Sequence, residues 1–142
     1  MKYVIFLSLL GMIGISNLQA QNADKSAISK VIAEFAKAGD ENNVDKLEKC
    51  LDANYRVVMN QLFGSSEVAV VPRSVYISKI KSKEWGGDKR IVEIENISVN
   101  SKTAMAKVVF KGSKMTFVSL MTLVKDANGN WKLMSDVPVI TS

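Results

Sequence analysis

The chain has 142 residues and a net charge of +5, with one cysteine and no histidine. The missing histidine excludes histidine-based catalytic triads and metal sites built on imidazole, and the sequence predicts neither a metal site nor a cofactor. A single cysteine excludes a disulfide within the chain. The basic residues form no dense stripe with interleaved aromatic residues, so no nucleic-acid partner is expected.

The first twenty residues are typical of a secretory signal peptide. Lys2 supplies a positive charge, an apolar run extends from Val4 to Ile15, and Ala20 is a small residue suited to cleavage. The run is shorter than the roughly 20 apolar residues of a membrane span, and no second run follows. The sequence therefore predicts a leader over residues 1–20 and one mature domain over residues 21–142. The mature protein is expected to be soluble and exported, either periplasmic or extracellular.

Three helices are predicted in the N-terminal half of the mature chain. Apolar residues recur at helical spacing over residues 23–38, and Gly39 is well placed to end that helix. A shorter helix follows over residues 44–51, with Cys50 as a buried apolar side chain. Pro72 is suited to the first position of a third helix that runs to about residue 83, before the Gly86-Gly87 pair.

Six strands are predicted, two before the third helix and four after it, over residues 55–63, 68–71, 90–99, 103–110, 115–124 and 131–140. Val92 and Ile94 fall on one face of their strand, whereas the next apolar pair, at 97 and 99, falls on the other. This phase change predicts a β-bulge near residues 95–96. Asn128-Gly129 predicts a hairpin turn, and Pro138 predicts that the last strand ends at a sheet edge.

This order of elements indicates an α+β fold. We expect the three helices to pack in the concave side of a strongly curved, mostly antiparallel sheet, which forms a cone-shaped half-barrel. One cluster of basic residues falls on the third helix and the loop after it, and we expect it to be a solvated face. Its members are Lys79, Lys81, Lys83, Lys89 and Arg90.

Several short segments in this order resemble the nuclear transport factor 2-like (NTF2-like) superfamily, the cystatin-like α+β cone. Within it the chain most resembles the putative lumazine-binding group of small exported bacterial proteins. The segments are 28–35, Gly39-Asp40, Asp45-Lys46-Leu47, 74–77 and 128–133. The resemblance implies a homodimer that packs sheet against sheet, and a pocket at the wide end of each cone.

Polar and aromatic residues within the apolar strands and at the predicted cone mouth are the candidate ligand-binding residues. Asp136 lies between Leu133-Met134-Ser135 and Val137-Pro138-Val139 in the last predicted strand. If it faces the cavity it is a candidate general base, and if it faces outward it is a surface carboxylate. Buried tyrosines often bond only to the backbone, and strand methionines often fill a core. The candidate set is Tyr55, Tyr76, Trp85, Met115, Phe117, Ser119 and Asp136.

Three functions fit these observations. The first is a non-catalytic, exported binding or accessory domain with an apolar pocket for a small apolar or aromatic ligand. The second is an interaction module, in which the strand over residues 115–124, apolar on both faces, marks an interface and the cone is filled. The third is a cofactor-free isomerase or dehydratase that uses Asp136 with Tyr55 or Tyr76 as acid–base partners.

Overall fold

The chain forms three helices and six strands. The computed structural model describes the backbone of residues 11–141 and the side chains of residues 17–141, so the first ten residues of the predicted leader lie outside the described range. The helices are α1 (Gly11–Asp40), α2 (Val44–Cys50) and α3 (Arg73–Lys81). The strands are β1 (Leu51–Asn60), β2 (Val68–Pro72), β3 (Ile91–Asn100), β4 (Thr103–Lys111), β5 (Thr116–Lys125) and β6 (Trp131–Thr141).

One open mixed sheet contains all six strands, in the order β2-β1-β6-β5-β4-β3. Four of the neighbouring pairs are antiparallel, and the β1–β6 pair is parallel. Helix α1 contacts β3 and β6, whereas α3 contacts β1 and β2, so the helices cover one face of the sheet. The predicted α+β class is confirmed.

Two irregularities keep apolar residues on the helix-covered face. The register of β3 on β4 shifts between Ile94 and Asn96, as the sequence predicts, and as a result Val92 and Val99 both pack against the core. A second shift, between β5 and β6, leaves Met134 outside the pairing. The extra residue changes the inward-facing positions of β6 from odd-numbered to even-numbered residues. Leu133, before the shift, and Asp136, after it, therefore both face inward.

Helix α1 buries its apolar stripe, with Ile28, Ile32 and Phe35 at most 2% exposed. It is already helical at Gly11, the first residue of the described backbone, rather than beginning at residue 23, and residues 17–23 are all exposed. It also continues past Gly39 and ends at Asp40. The expectation that Gly39 ends the helix is wrong: Asn42, at φ +50°, takes the left-handed conformation, because Asn tolerates it.

The core lies between the helices and the sheet. Its fully buried side chains include Tyr55, Leu47 and Phe110. Cys50 is buried as predicted, and burial raises the pKa of its thiol. Within the described residues, no helix is long and apolar enough to cross a membrane.

The end of the last strand agrees with the prediction drawn from Pro138, since beyond Asp136 the strand β6 pairs with β5 alone. Strand β6 lies inside the sheet, between β1 and β5. Its pairing with β1 ends at Asp136, however, two residues before the proline. Pro138 therefore has no partner on β1, and the N–H that it lacks costs no hydrogen bond to that strand. This is why a proline is tolerated in β6.

Candidate functional site

A cavity of about 520 Å³ lies between the C-terminal end of α1, helix α3 and the concave face of the sheet. Its inner wall comes from β1, β4, β5 and β6, and its mouth is formed by the loops after β1, α3 and β4. Its volume is within the usual range for small-molecule sites. The side chains that line its inner part are mostly aromatic or apolar: Phe35, Val57, Met59, Tyr76, Ile80, Phe110, Phe117 and Pro138.

Asp136 is the carboxylate on the inner wall of this cavity. It is 8% exposed, and burial raises its pKa from 3.8 to about 6. Ser119, on the neighbouring strand, bonds to the carboxyl group and opposes this shift. The Oδ1 atom has no hydrogen-bond partner among the described residues. A buried carboxylate with an unused oxygen is costly to keep in a fold, so Asp136 is the leading candidate for a functional residue in this cavity.

Three aromatic rings, those of Phe35, Tyr55 and Tyr76, contact one another beside the cavity. Tyr76 contacts the rings of Phe35 and Tyr55, with ring centroids 6.2 and 5.4 Å apart respectively. Burial raises the pKa of both tyrosines. Tyr55 does not line the cavity, and its hydroxyl has no hydrogen-bond partner among the described residues. Tyr76 therefore forms part of the cavity wall, and Tyr55 packs behind it in the core.

Trp85 lies at the cavity mouth, in the loop between α3 and β3. Its ring contacts Tyr76 at 5.8 Å, and the ammonium group of Lys79 lies 5.3 Å from its centroid. Lys79 also pairs with Glu84, at 2.5 Å. The indole thus covers one side of the mouth and is held by contacts with α3.

The loop that carries Trp85 is attached to the end of α1. The side-chain amide of Asn42 donates to the backbone oxygens of Ile80 and Trp85, at 3.0 and 2.8 Å. The N–H of Gly87 donates to the carbonyl of Gly39. These bonds fix the mouth loop on a helix end, which gives the cavity a preformed entrance.

Arg90 and Asp40 strengthen the same attachment. The Arg90 Nε atom and backbone N–H both donate to the Asp40 carboxylate, at 2.6 and 2.9 Å, and Nη2 donates to the Ala36 carbonyl at 2.8 Å. The guanidinium group also lies 5.2 Å from the Phe110 ring centroid. Both side chains are less than one-fifth exposed. The expectation of a solvated Arg90 is therefore wrong, because its charge is neutralised within the fold.

Asp88 connects the mouth loop to the turn between β4 and β5. Its carboxylate accepts from the backbone N–H groups of Lys89 and Ser113, and these bonds lower its pKa. A Cβ atom on Gly112 would lie 2.4 Å from its Oδ2 atom, so a larger residue there would displace the Asp88 carboxylate. Two of the loops around the mouth are thereby held together.

The structure brings six of the seven sequence-predicted site residues to one cavity, and the seventh, Tyr55, lies beneath it. The six are Tyr76, Trp85, Met115, Phe117, Ser119 and Asp136. The sequence analysis missed Asp40, Asn42 and Arg90. Gly39-Asp40 was noted only as a family-like segment, and the fifty-residue separation of Asp40 from Arg90 gave no local signal. Within residues 17–141, no three His, Cys, Asp or Glu side chains form a cluster that would hold a metal ion.

Gly86 offers a direct test of the close approach at the mouth. It has φ +81°, and a Cβ atom there would lie 2.3 Å from the Gly39 carbonyl oxygen. We expect Gly86→Ala to lower the free energy of unfolding by about 1–2 kcal/mol for the positive φ, and by about 2 kcal/mol more for the clash. The matched control is Gly64→Ala, which has the same φ and no atom within 4 Å. Urea unfolding measures both, and equal losses would contradict the clash.

Comparison with known proteins agrees with this architecture. The family model described as putative lumazine-binding matches residues 23–137. An NTF2-like protein of unknown function from Silicibacter pomeroyi has a TM-score of 0.74, with 19% identity over 85% of this chain and 98% of that chain. One from Shewanella baltica has a TM-score of 0.72, with 13% identity over 84% and 95%.

A third structure, described as a putative ketosteroid isomerase from Shewanella frigidimarina, has a TM-score of 0.61 and 16% identity over 80% of this chain and 94% of that chain. No curated protein matches the chain significantly. At these identities the likeness shows a shared fold. The cavity of this chain must therefore be interpreted from its own residues.

Proposed function

The chain belongs to the putative lumazine-binding family of the NTF2-like superfamily, and from that premise we propose that it is a non-catalytic domain that binds one small apolar or aromatic molecule in its cavity. The observation that carries the proposal is a preformed cavity of about 520 Å³ with aromatic walls and one underused carboxylate. Ligand sites typically combine an apolar wall with a few polar groups that fix orientation. The alternative with a filled cone predicts no cavity, and the structure contains one.

The binding proposal is tested by filling the cavity. Met59 is half-buried and lines the cavity, whereas Met105 is 60% exposed on the opposite face of the sheet. We expect Met59→Trp to abolish saturable one-to-one binding of naphthalene-2-carboxamide, a flat neutral probe, as measured by calorimetry. Met105→Trp is the matched control and is expected to bind as the wild type does. Binding that survives in Met59→Trp would contradict a site in this cavity.

A second candidate function is proton transfer, with Asp136 as the general base. Its favouring observation is the pKa of about 6 in an apolar cavity, near the range in which a carboxylate removes protons efficiently. The carboxylate would take a proton from carbon next to a ketone, leaving an enolate, and return it to the same or a neighbouring carbon. Deuterium exchange into a cyclic β,γ-unsaturated ketone, followed by NMR, tests this. Exchange that Asp136→Asn abolishes supports catalysis, and exchange at the uncatalysed rate rejects it.

Export and maturation form a further part of the proposal. The predicted leader ends at Ala20, just before Gln21. Among the described residues of α1, the first buried side chain is that of Ile28, which lies after this point. We expect the exported protein to begin at Gln21, and its intact mass and N-terminal sequence to show this. Ala20→Phe is expected to block cleavage, because leader peptidases require a small residue there. Exported wild-type protein that still begins at Met1 would contradict the leader.

The homodimer implied by the fold is proposed to form through the outer face of the sheet. Leu120 and Val139 are 50% and 52% exposed there, on neighbouring strands. Two copies that pack these faces together would bury both side chains. We expect sedimentation velocity to show a dimer for the wild type and a monomer for Leu120→Glu. Val75→Glu, on the exposed side of α3, is the control and should remain a dimer. A wild-type monomer at micromolar concentration would contradict this interface.

A further inference from the structure

The Asp136 side chain lines the cavity and carries a buried oxygen whose hydrogen-bonding capacity the described residues leave unused. Ser119 bonds to the carboxyl group from β5, and Oδ1 has no partner among the described residues. The side chain is 8% exposed and forms part of the cavity lining. A buried acceptor of this kind is satisfied by a donor that arrives with the ligand, because bulk water is largely excluded.

The surrounding protein supplies no cation that contacts this carboxylate. Tyr55 approaches it from β1 and Tyr76 from α3, and both are neutral because burial raises the pKa of their hydroxyls. Arg90, ahead of β3, is the nearby cation that stabilises the charged form from a distance. Within residues 17–141, however, the ion pair that Arg90 forms is with Asp40, and no lysine or arginine forms one with Asp136. The negative charge in the cavity is left without a close counter-charge.

The same contacts make the cavity a poor site for an anion. The Arg90 guanidinium group is used by Asp40, by the Ala36 carbonyl and by the Phe110 ring. An anionic ligand would therefore meet the Asp136 carboxylate without gaining a free guanidinium, and the other cation of the lining, Lys114, lies in the mouth loop after β4. The aromatic walls, by contrast, suit a flat molecule and stabilise a nearby positive charge through their ring faces.

We propose that the ligand of this cavity is a flat aromatic molecule with a cationic N–H donor group, such as an amidinium, a guanidinium or a protonated amino-heterocycle, which pairs with Asp136. The ring of the ligand lies against Phe117 and Tyr76, and Trp85 covers it at the mouth. This inference rests on the proposed binding function and adds the chemical class of the ligand. Charge-assisted pairing of a planar N–H group with a carboxylate gives orientation as well as affinity.

Three isosteric probes test the ligand class. Naphthalene-2-carboxamidine, naphthalene-2-carboxamide and naphthalene-2-carboxylate share one shape and differ in charge. At pH 7.5 we expect the amidine to bind roughly tenfold to a hundredfold more tightly than the neutral amide, and the carboxylate to bind most weakly. Asp136→Asn is expected to remove the preference for the amidine and to leave the affinity for the amide nearly unchanged.

The possible outcomes distinguish the proposed ligand class from the proposed binding function. Equal affinities for the three probes, or a preference unchanged in Asp136→Asn, would overturn the ligand class while the binding function stands. Tight binding of the carboxylate would overturn it in the same way. If the amide and the amidine both fail to bind, the cavity is not a site for flat aromatic molecules, and both proposals fall.

The pH dependence of amidine binding gives a second, independent readout. Protonation of Asp136 removes the charge that attracts the cation, so the affinity is expected to fall as the pH drops through about 6. Tyr55 and Tyr76 do not titrate in this range because burial raises the pKa of each hydroxyl, and Arg90 is paired with Asp40. An affinity that rises on acidification would overturn the proposal, because it would show that protonated Asp136 donates to the ligand.

Discussion

Asp136→Asn is expected to stabilise the protein by about 3 kcal/mol at pH 8 and by only about 0.5 kcal/mol at pH 4. Burial raises the pKa of Asp136 from 3.8 to about 6 in the folded state, and each pKa unit corresponds to about 1.36 kcal/mol. A raised carboxyl pKa lowers stability once the pH is above the folded value, and its effect disappears below the unfolded value. Asparagine keeps a similar shape and carries no charge, so it removes this cost.

The measurement is urea unfolding of the wild type and the variant between pH 4 and pH 8. The difference between the two curves isolates Asp136, because other carboxylates such as Asp24 and Asp88, whose folded pKa values are lowered, are present in both proteins. The difference should increase from pH 4 to pH 6 and then level off. A variant less stable than the wild type at pH 8, or a difference independent of pH, would contradict a buried, destabilising carboxylate.

Arg90→Ala is expected to lower the free energy of unfolding by about 3 kcal/mol and to loosen the mouth loop. Its loss leaves the Asp40 carboxylate, 15% exposed, without its ion-pair partner, and removes the bond to the Ala36 carbonyl. Breaking a buried ion pair from one side typically costs about 3–5 kcal/mol. Amide hydrogen exchange is expected to accelerate over residues 84–90, because these bonds hold the loop on the end of α1.

Two further variants separate the ion pair from general surface effects. Asp40→Asn breaks the same pair from the other side, so we expect a loss of similar size. Glu84→Gln breaks the exposed pair with Lys79 and is expected to cost less than about 1 kcal/mol, because exposed ion pairs contribute little. Equal small losses in all three variants would show that the Arg90–Asp40 pair does not hold the mouth.

Local patterns were sufficient to predict most of the fold. The bulge in β3 was predictable because apolar residues stand on both sides of it, at Val92 and Val99, so the phase change was visible in the sequence. The bulge at Met134 was not, because the inward-facing residues after it are Asp136 and Pro138. A carboxylate and a proline do not mark a buried strand face, so hydrophobic alternation carried no signal for the change of face.

The candidate site was predictable only in part, for a related physical reason. Trp85 and Asp136 stand out because an aromatic ring beside glycines, or a carboxylate within an apolar strand, is unusual. The residues that hold the mouth do not stand out. Asp40 and Arg90 are ordinary charged residues separated by fifty positions, and only the folded chain brings them within 2.6 Å.

Native mass spectrometry of the mature protein, purified gently from its own cell envelope, tests the central claim most directly. We predict one small molecule per chain, retained at low collision energy, flat and aromatic with a basic nitrogen, and lost in Met59→Trp. Wild-type protein that carries no adduct and binds none of the three naphthalene probes would contradict the account. The cavity would then be a feature of the fold and not a binding site.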